Sequence, residues 1–200
     1  MNLADLPCSA NSAALGPRFA VYAPTHPRRA AVERFIQAIY DQHYGAVLRA
    51  FKPFLAVIEH DGRVCAAAGY RDAVAPLFLE RYLTAPVEEV LARHTGWTPQ
   101  RSAIVEVGHF ASAQPGQGRQ LMAALGRHLA ARGYQFVVST ATRELRTIFS
   151  RLRMDVLELG SADPSVLGTA AADWGSYYEH APQVLAGEIH RNLARFAPVA

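Results

Sequence analysis

The sequence predicts an α/β protein with a mixed β-sheet flanked by helices on both faces, and three observations carry that prediction. Segments with strand-like alternation take turns along the chain with segments whose apolar residues recur at helical spacing, the order expected when helices cover both faces of a sheet. Two strand-like runs, residues 54–59 and 63–70, flank the turn signal His60-Asp61-Gly62. That makes an antiparallel hairpin, and so a mixed sheet rather than a purely parallel one. A strongly amphipathic stretch, residues 120–132, lies between two further strand-like runs and stops at Gly133, as a helix crossing between strands does.

The remaining elements follow in order. Residues 1–17 are rich in Ala, Ser and Asn and carry Pro7 and Pro17, which predicts an N-terminal arm; residues 18–200 are expected to form one domain. Residues 19–22 make a short strand, and Pro24 and Pro27 then interrupt the chain. Between 28 and 44, Ala31, Val32, Phe35, Ile36, Ile39 and Tyr40 fall on one helical face. After the hairpin, residues 76–94 read as helix or as loop and helix, with Pro86 suited to open a second helix carrying Val87, Val90 and Leu91. Residues 102–110 make the next strand, and 111–119 a loop containing Pro115, Gly116 and Gly118. A buried strand over 136–140, a helix over 143–153, a strand over 156–159 and a last helix near 184–196 complete the pattern.

Composition narrows the function classes. The chain has 200 residues, 50% of them hydrophobic and 18% charged, enough for a packed core and incompatible with global disorder. The two cysteines, Cys8 and Cys65, are too few for a disulfide framework or a multi-cysteine zinc module. No apolar run approaches the roughly 20 residues that span a bilayer, so no stable membrane insertion is expected. The segment from Met1 to Ala14 carries Asp5 and has neither a basic start nor a continuous apolar stretch. The expectation is a cytoplasmic protein with reduced thiols. A net charge of +3, without a basic stripe interleaved with aromatics, argues against nucleic acid. Of the 20 basic residues, Lys52 is the one lysine and the rest are arginines, whose forked guanidinium suits phosphates and carboxylates.

Chemistry concentrates in the run Ile104-Val105-Glu106-Val107-Gly108-His109-Phe110 and the loop Gln114-Pro115-Gly116-Gln117-Gly118-Arg119. A strand feeding a glycine-containing loop that opens a helix either forms a cradle for a pyrophosphate or is a simple turn. Glu106 stands in an otherwise apolar strand, as a general base or as a carboxylate paired with an arginine. Alternation puts His109 on the opposite face from Glu106, unless a bulge at Gly108 turns it to the same side; His109 is then catalytic or a structural histidine. Arg71 ends the hairpin and holds a substrate carboxylate or a surface ion pair. Glu80, inside the apolar run from Phe78 to Leu83, points into a cleft or pairs with Arg81 or another nearby arginine. Ser139-Thr140-Ala141-Thr142 binds a ligand or caps the helix at Arg143. Trp174, Tyr177 and Tyr178 pack, or line an apolar pocket. No cysteine, histidine and carboxylate spacing suggests a metal site, and no Gly-x-Ser-x-Gly elbow suggests a serine hydrolase.

The runs Gly69-Tyr70-Arg71-Asp72-Ala73, Leu77-Phe78-Leu79-Glu80-Arg81-Tyr82-Leu83, Pro86-Val87-Glu88, Ile104-Val105-Glu106-Val107-Gly108 and Trp174-Gly175-Ser176-Tyr177-Tyr178 resemble the thermostable hemolysin family, over roughly residues 27–189. That family is grouped with the N-acetyltransferase-like (GNAT-like) superfold, so the resemblance implies a GNAT-like mixed β-sheet. A weaker similarity is to acyl-homoserine lactone synthases, with an arginine ending the hairpin, here Arg71, and a strand glutamate, here Glu106. Together these imply a GNAT-like N-acyltransferase that moves an acyl group from a pantetheine thioester to an amine of an amino acid or related metabolite. The implied catalytic residues are Glu106, His109, Arg71 and Glu80. Val107 and Gly108 would stabilise the oxyanion, and Gln114, Gly116, Gln117, Gly118 and Arg119 would hold the donor's phosphates. The Gln-x-Gly-x-Gly segment is one residue shorter than the usual GNAT phosphate loop, so an acyl carrier protein stands beside acyl-CoA as donor, with no metal. The readings from other classes are a membrane-lytic hemolysin, as the family name suggests, and a catalytically inactive GNAT-like binding module.

Overall fold

The structure is a computed structural model that describes residues 16–196. The expected arm over residues 1–17 lies almost wholly outside the described residues. Seven strands form one sheet in the order β1-β2-β3-β4-β5-β7-β6. They are β1 (Arg18–Tyr22), β2 (Phe54–His60), β3 (Arg63–Asp72), β4 (Ile104–Ser112), β5 (Phe136–Ala141), β6 (Leu157–Ser161) and β7 (Gln183–Glu188). Five α-helices accompany them: α1 (Arg29–Tyr44), α2 (Val87–Thr95), α3 (Gln117–Ala131), α4 (Arg143–Arg151) and α5 (Ile189–Leu193). The sheet is mixed, because β4 and β5 run parallel while the other neighbours are antiparallel.

Alternation along β2 shows how the sheet is covered. Leu55 and Val57 pack with Val32, Ile36 and Tyr40 of α1. Ala56 and Ile58, pointing the other way, pack with Leu121, Leu125 and Leu129 of α3. A third cluster joins Leu79, Val87 and Leu91 to Ile104, Phe136 and Val138. The β2–β3 turn has φ of 49° at Asp61 and 73° at Gly62, the paired left-handed conformation of a tight hairpin whose twist matches its strands.

Two boundaries differ from the sequence reading. The expected last helix over 184–196 is β7 followed by the short α5. Val184, Leu185 and Ala186 form an apolar run paired with β5 on one side and β6 on the other, and periodicity does not separate a strand buried on both faces from a buried helix. Helix α3 begins at Gln117 rather than Gln120 because Gly116, at φ 87°, turns the chain into it early. Gly118 and Arg119, expected in a loop, therefore lie in the first helical turn.

One feature of the sheet positions the candidate site. β4 pairs with β5 at Ile104↔Phe136, Val105↔Val137 and Glu106↔Val138, and no further. β4 stays paired with β3 as far as Ser112, and β5 with β7 as far as Ala141. The two strands part beyond Glu106 and leave a gap in the middle of the sheet. Along the same stretch the β3–β4 register shifts, so that Ala67 and Gly69 face Ala111 and Gly108. The extra residue lies on β4, and His109, at φ 52°, takes the left-handed backbone there.

Candidate active site

Glu106 is the buried carboxylate at this gap, with 4% of its surface exposed. Its direct partner across the β3–β4 ladder is Arg71, whose Nε donates to Oε2 at 3.0 Å. The Lys52 Nζ lies 2.6 Å from the same oxygen, and the Leu79 amide donates to Oε1 at 3.3 Å. Arg71 also donates from Nη2 to the Pro76 carbonyl at 2.5 Å, which ties the segment after β3 over the carboxylate. Burial pulls the Lys52 ammonium below the usual lysine range, against the opposing pull of Glu106. Lys52 was not among the residues singled out from the sequence; the signal was its standing alone among arginines.

Glu80 does not meet the gap directly. Its Oε1 accepts from the Val87 amide at 2.8 Å and from Arg101 at 2.7 Å. Its Oε2 accepts from the Leu77 amide at 2.6 Å and from Arg101 at 3.2 Å. Burial alone would push this carboxyl up, but Arg101 and the two amides hold it below its ordinary value. Of the two readings of Glu80 the structure shows the ion pair, with Arg101 as the arginine: both oxygens are committed to Arg101 and to the amides of Leu77 and Val87, which flank the segment that supplies the Leu79 amide to Glu106. The Arg81 guanidinium lies instead over the Phe78 ring, 4.9 Å from its centroid.

The bulge brings the His109 ring to the α1 side, edge-on to Tyr40 and Phe51 at centroid distances of 6.3 and 5.4 Å. Burial, with the Lys52 charge added, pulls its pKa down to about 3. The ring is therefore neutral at physiological pH, and its buried Nδ1 has no hydrogen-bond partner. The folded chain binds the proton only near pH 3, the unfolded chain near 6.5. Stability conferred by neutral His109 is thus full above 6.5 and lost as pH falls toward 3. His109→Asn, whose side chain tolerates the left-handed backbone, is expected to remove about 1.4 kcal/mol per pH unit from the acid-side slope. Urea melts at pH 7 and pH 5 measure it, and equal slopes in both proteins would refute it.

The gap opens into a cavity of about 390 Å³, within the range of small-molecule sites. Gly108 and His109 form part of its wall, Met122 and Leu125 of α3 and Leu145 and Phe149 of α4 give it an apolar interior, and Tyr40, Tyr44 and Tyr177 border it. Ser139, Thr140 and Thr142 also line it. Thr142 occupies the N-cap position of α4 without making a side-chain cap bond. Tyr177 donates to the Thr140 carbonyl at 3.2 Å, and Tyr82 and Tyr178 share a hydrogen bond of 2.5 Å. Trp174 packs on Phe78, Tyr177 and Tyr178.

At the start of α3, Gln114, Gly116 and Arg119 are exposed. The Gln117 carboxamide accepts from the Gln114 amide at 3.0 Å, so it closes the loop rather than facing outward. A Cβ on Gly118 would stand 3.2 Å from the Phe110 ring; the glycine lets the helix start lie close against β4. Among the described residues, no group of three or more histidines, cysteines or carboxylates is placed to hold a metal ion, and no helix is long and apolar enough to cross a membrane.

Residues 22–193 match the model of the thermostable hemolysin family. The chain belongs to that family. Among curated protein sequences, none matches. Three solved structures illustrate what this member of the family is similar to in fold. The acyl-homoserine lactone synthase LasI is 17% identical, with a TM-score of 0.60, covering 86% of this chain and 90% of LasI. BjaI, a CoA-dependent acyl-homoserine lactone synthase solved with SAM and isopentyl-CoA, is 14% identical with a TM-score of 0.62, covering 92% of this chain and 91% of its own. FeeM, an N-acyl amino acid synthase from uncultured soil microbes, is 16% identical with a TM-score of 0.60, covering 91% of this chain and 98% of FeeM. This hemolysin-family chain therefore has the GNAT-like fold that its sequence predicts.

Proposed function

We propose that the chain is an N-acyltransferase that moves an acyl group from a pantetheine thioester, as acyl-CoA or acyl carrier protein, to the amine of an amino acid or related metabolite. The observation that carries this reading is the gap between β4 and β5, continuous with an apolar cavity and walled by the Gly108–His109 bulge. A slot of that kind admits an extended thioester between two strands, and the chamber behind it takes an acyl chain. The β5-facing edge of β4 has no strand partner past Glu106, which leaves the edge at Val107 and Gly108 open to the oxyanion. FeeM, an N-acyl amino acid synthase, and BjaI, a CoA-dependent acyl-homoserine lactone synthase, agree with it.

In the reaction the amine nitrogen attacks the thioester carbonyl carbon. The C–N bond forms, the C–S bond breaks, and the thiolate leaves with a proton. Glu106 supplies the negative charge that draws the proton from the attacking nitrogen, while neutral His109, with Nδ1 unpartnered, is the second acceptor at the bulge. Arg71 holds the acceptor, and Glu80 fixes the segment that covers it. The exposed start of α3, with Gly116, Gly118 and Arg119, meets the donor's phosphate. A cytoplasmic site of action suits such donors.

Thiol release from a series of acyl-CoA and acyl carrier protein donors, with and without a panel of amines, tests the reading; no amine-dependent release from either donor class would end it. A variant separates acyl transfer from mere binding of the fold. Leu145→Trp narrows the cavity and is expected to shift the kcat/KM ratio toward shorter acyl chains by at least about tenfold. An unchanged chain-length profile would place the acyl group elsewhere.

A further inference from the structure

The fold makes a particular place for Lys52. The residue precedes β2, where Arg29 holds the Lys52 and Pro53 carbonyls at 2.9 and 2.6 Å. From there its side chain crosses β3 and β4 at the point where Gly69 faces Gly108. A Cβ on Gly69 would stand 3.0 Å from the Lys52 Cβ, and one on Gly108 2.8 Å from its Cε. Neither glycine has a positive φ, so what the chain needs from them is space. The trough delivers Nζ to Glu106 with only 11% of the lysine side chain exposed.

Charge counting around that delivery does not close. Lys52 and Arg71 both face the one carboxylate of Glu106. Glu80, on the segment that covers Glu106, is engaged with Arg101. Among the described residues no second carboxylate is within ion-pair distance of either cation. A surplus charge in a largely enclosed site is costly unless something answers it. Arg71 keeps 30% of its side chain open, so the answering group can arrive from outside.

We propose that Lys52 is a specificity-determining residue that, with Arg71, draws the anionic group of the acceptor to the ion cluster at Glu106, so that the enzyme selects amines bearing a carboxylate over uncharged amines. The two ends of an α-amino acid suit the cluster: the carboxylate meets the surplus cation and the amine lies near Glu106. The kinetic half rests on the acyltransferase reading; the binding half does not.

The chain's only lysine gives a clean probe. Protein grown with ¹³C,¹⁵N-lysine carries one labelled side chain, which is followed at pH 7 while L-amino acids and, separately, their carboxamides are added. The expected result is an ammonium signal in the free protein that amino acids shift and carboxamides do not. In turnover, Lys52→Met is expected to lower the kcat/KM preference for an amino acid over its carboxamide at least about tenfold. The variant keeps the Glu106–Arg71 pair, and the labelled wild type needs no variant at all. A neutral lysine signal at pH 7, equal shifts by acids and amides, or an unchanged preference in Lys52→Met would overturn the proposal. Selective shifts without turnover would sink the acyl-transfer reading alone; turnover with an unmoved lysine signal would sink this proposal alone.

Discussion

Glu106→Gln is expected to cost the protein both its turnover and part of its stability. The carboxylate answers Lys52 and Arg71 at one oxygen and the Leu79 amide at the other. Removing its charge leaves two cations against a neutral amide in a site 4% exposed. Breaking a buried pair by deleting one partner costs about 3 to 5 kcal/mol; Arg71 is partly solvated, which places this case near about 3 kcal/mol. For a chain of this size that corresponds to a fall in Tm on the order of 10 °C. Turnover is expected to drop at least about tenfold, about 1.4 kcal/mol of barrier, a modest figure for a general base. The two losses separate under thermal melting and steady-state kinetics below the lowered Tm. A variant that melts early yet turns over normally makes Glu106 structural and transfers the proton-accepting role to His109. A variant that melts with wild type contradicts the buried ion cluster itself.

Gly118→Asp is expected to weaken donor binding at least about tenfold, about 1.4 kcal/mol. Two effects add. The new Cβ meets the Phe110 ring at 3.2 Å and the Ser112 Oγ at 3.5 Å, which pushes the first turn of α3 away from β4. The new carboxylate then repels a phosphate where the helix start would otherwise attract it, a contribution of roughly 0.3 to 1 kcal/mol. Gly118→Ala carries the first effect without the second, so the difference between the two variants isolates the charge. Arg119→Ala is expected to weaken the donor less, with a loss that shrinks at high salt because the side chain is exposed. Calorimetric titration of CoA thioester and amine, each alone, reads all three variants. Unchanged donor affinity in Gly118→Asp would mean that the α3 start is only a turn.

The elements legible in the sequence were those whose pattern has one meaning. The hairpin announced itself through His60-Asp61-Gly62, because few sequences tolerate two consecutive residues at positive φ. Helices α1 and α3 were visible because an apolar stripe at helical spacing has no other use. β7 was misread because Val184-Leu185-Ala186 is apolar on both faces, and only its two strand neighbours distinguish it from a helix. The candidate site was half visible. Glu106 stood out as a charge in an apolar strand, and Gly108 hinted at the bulge that in fact falls on His109. The partners of these residues were not visible, since Lys52 and Arg101 reach the site across the fold rather than along the chain. Glu80 shows the same limit from the other side: its motif marked it, but its two oxygens serve Arg101 and two backbone amides, a fact that no spacing in the sequence encodes.

The short parallel joint between β4 and β5 has a mechanical consequence. The sheet is in effect two leaves, β1 to β4 and β5 to β6, each with its own ladder and meeting along three residue pairs. Past Glu106 and Val138 the leaves share no rung, and what ties them there is the β6–β7 connection, whose Ser176 amide donates to the Tyr44 carbonyl at 2.8 Å and whose Tyr177 hydroxyl donates to the Thr140 carbonyl at 3.2 Å. The stiffness of the cleft is therefore set by that connection rather than by the ladders of the sheet itself.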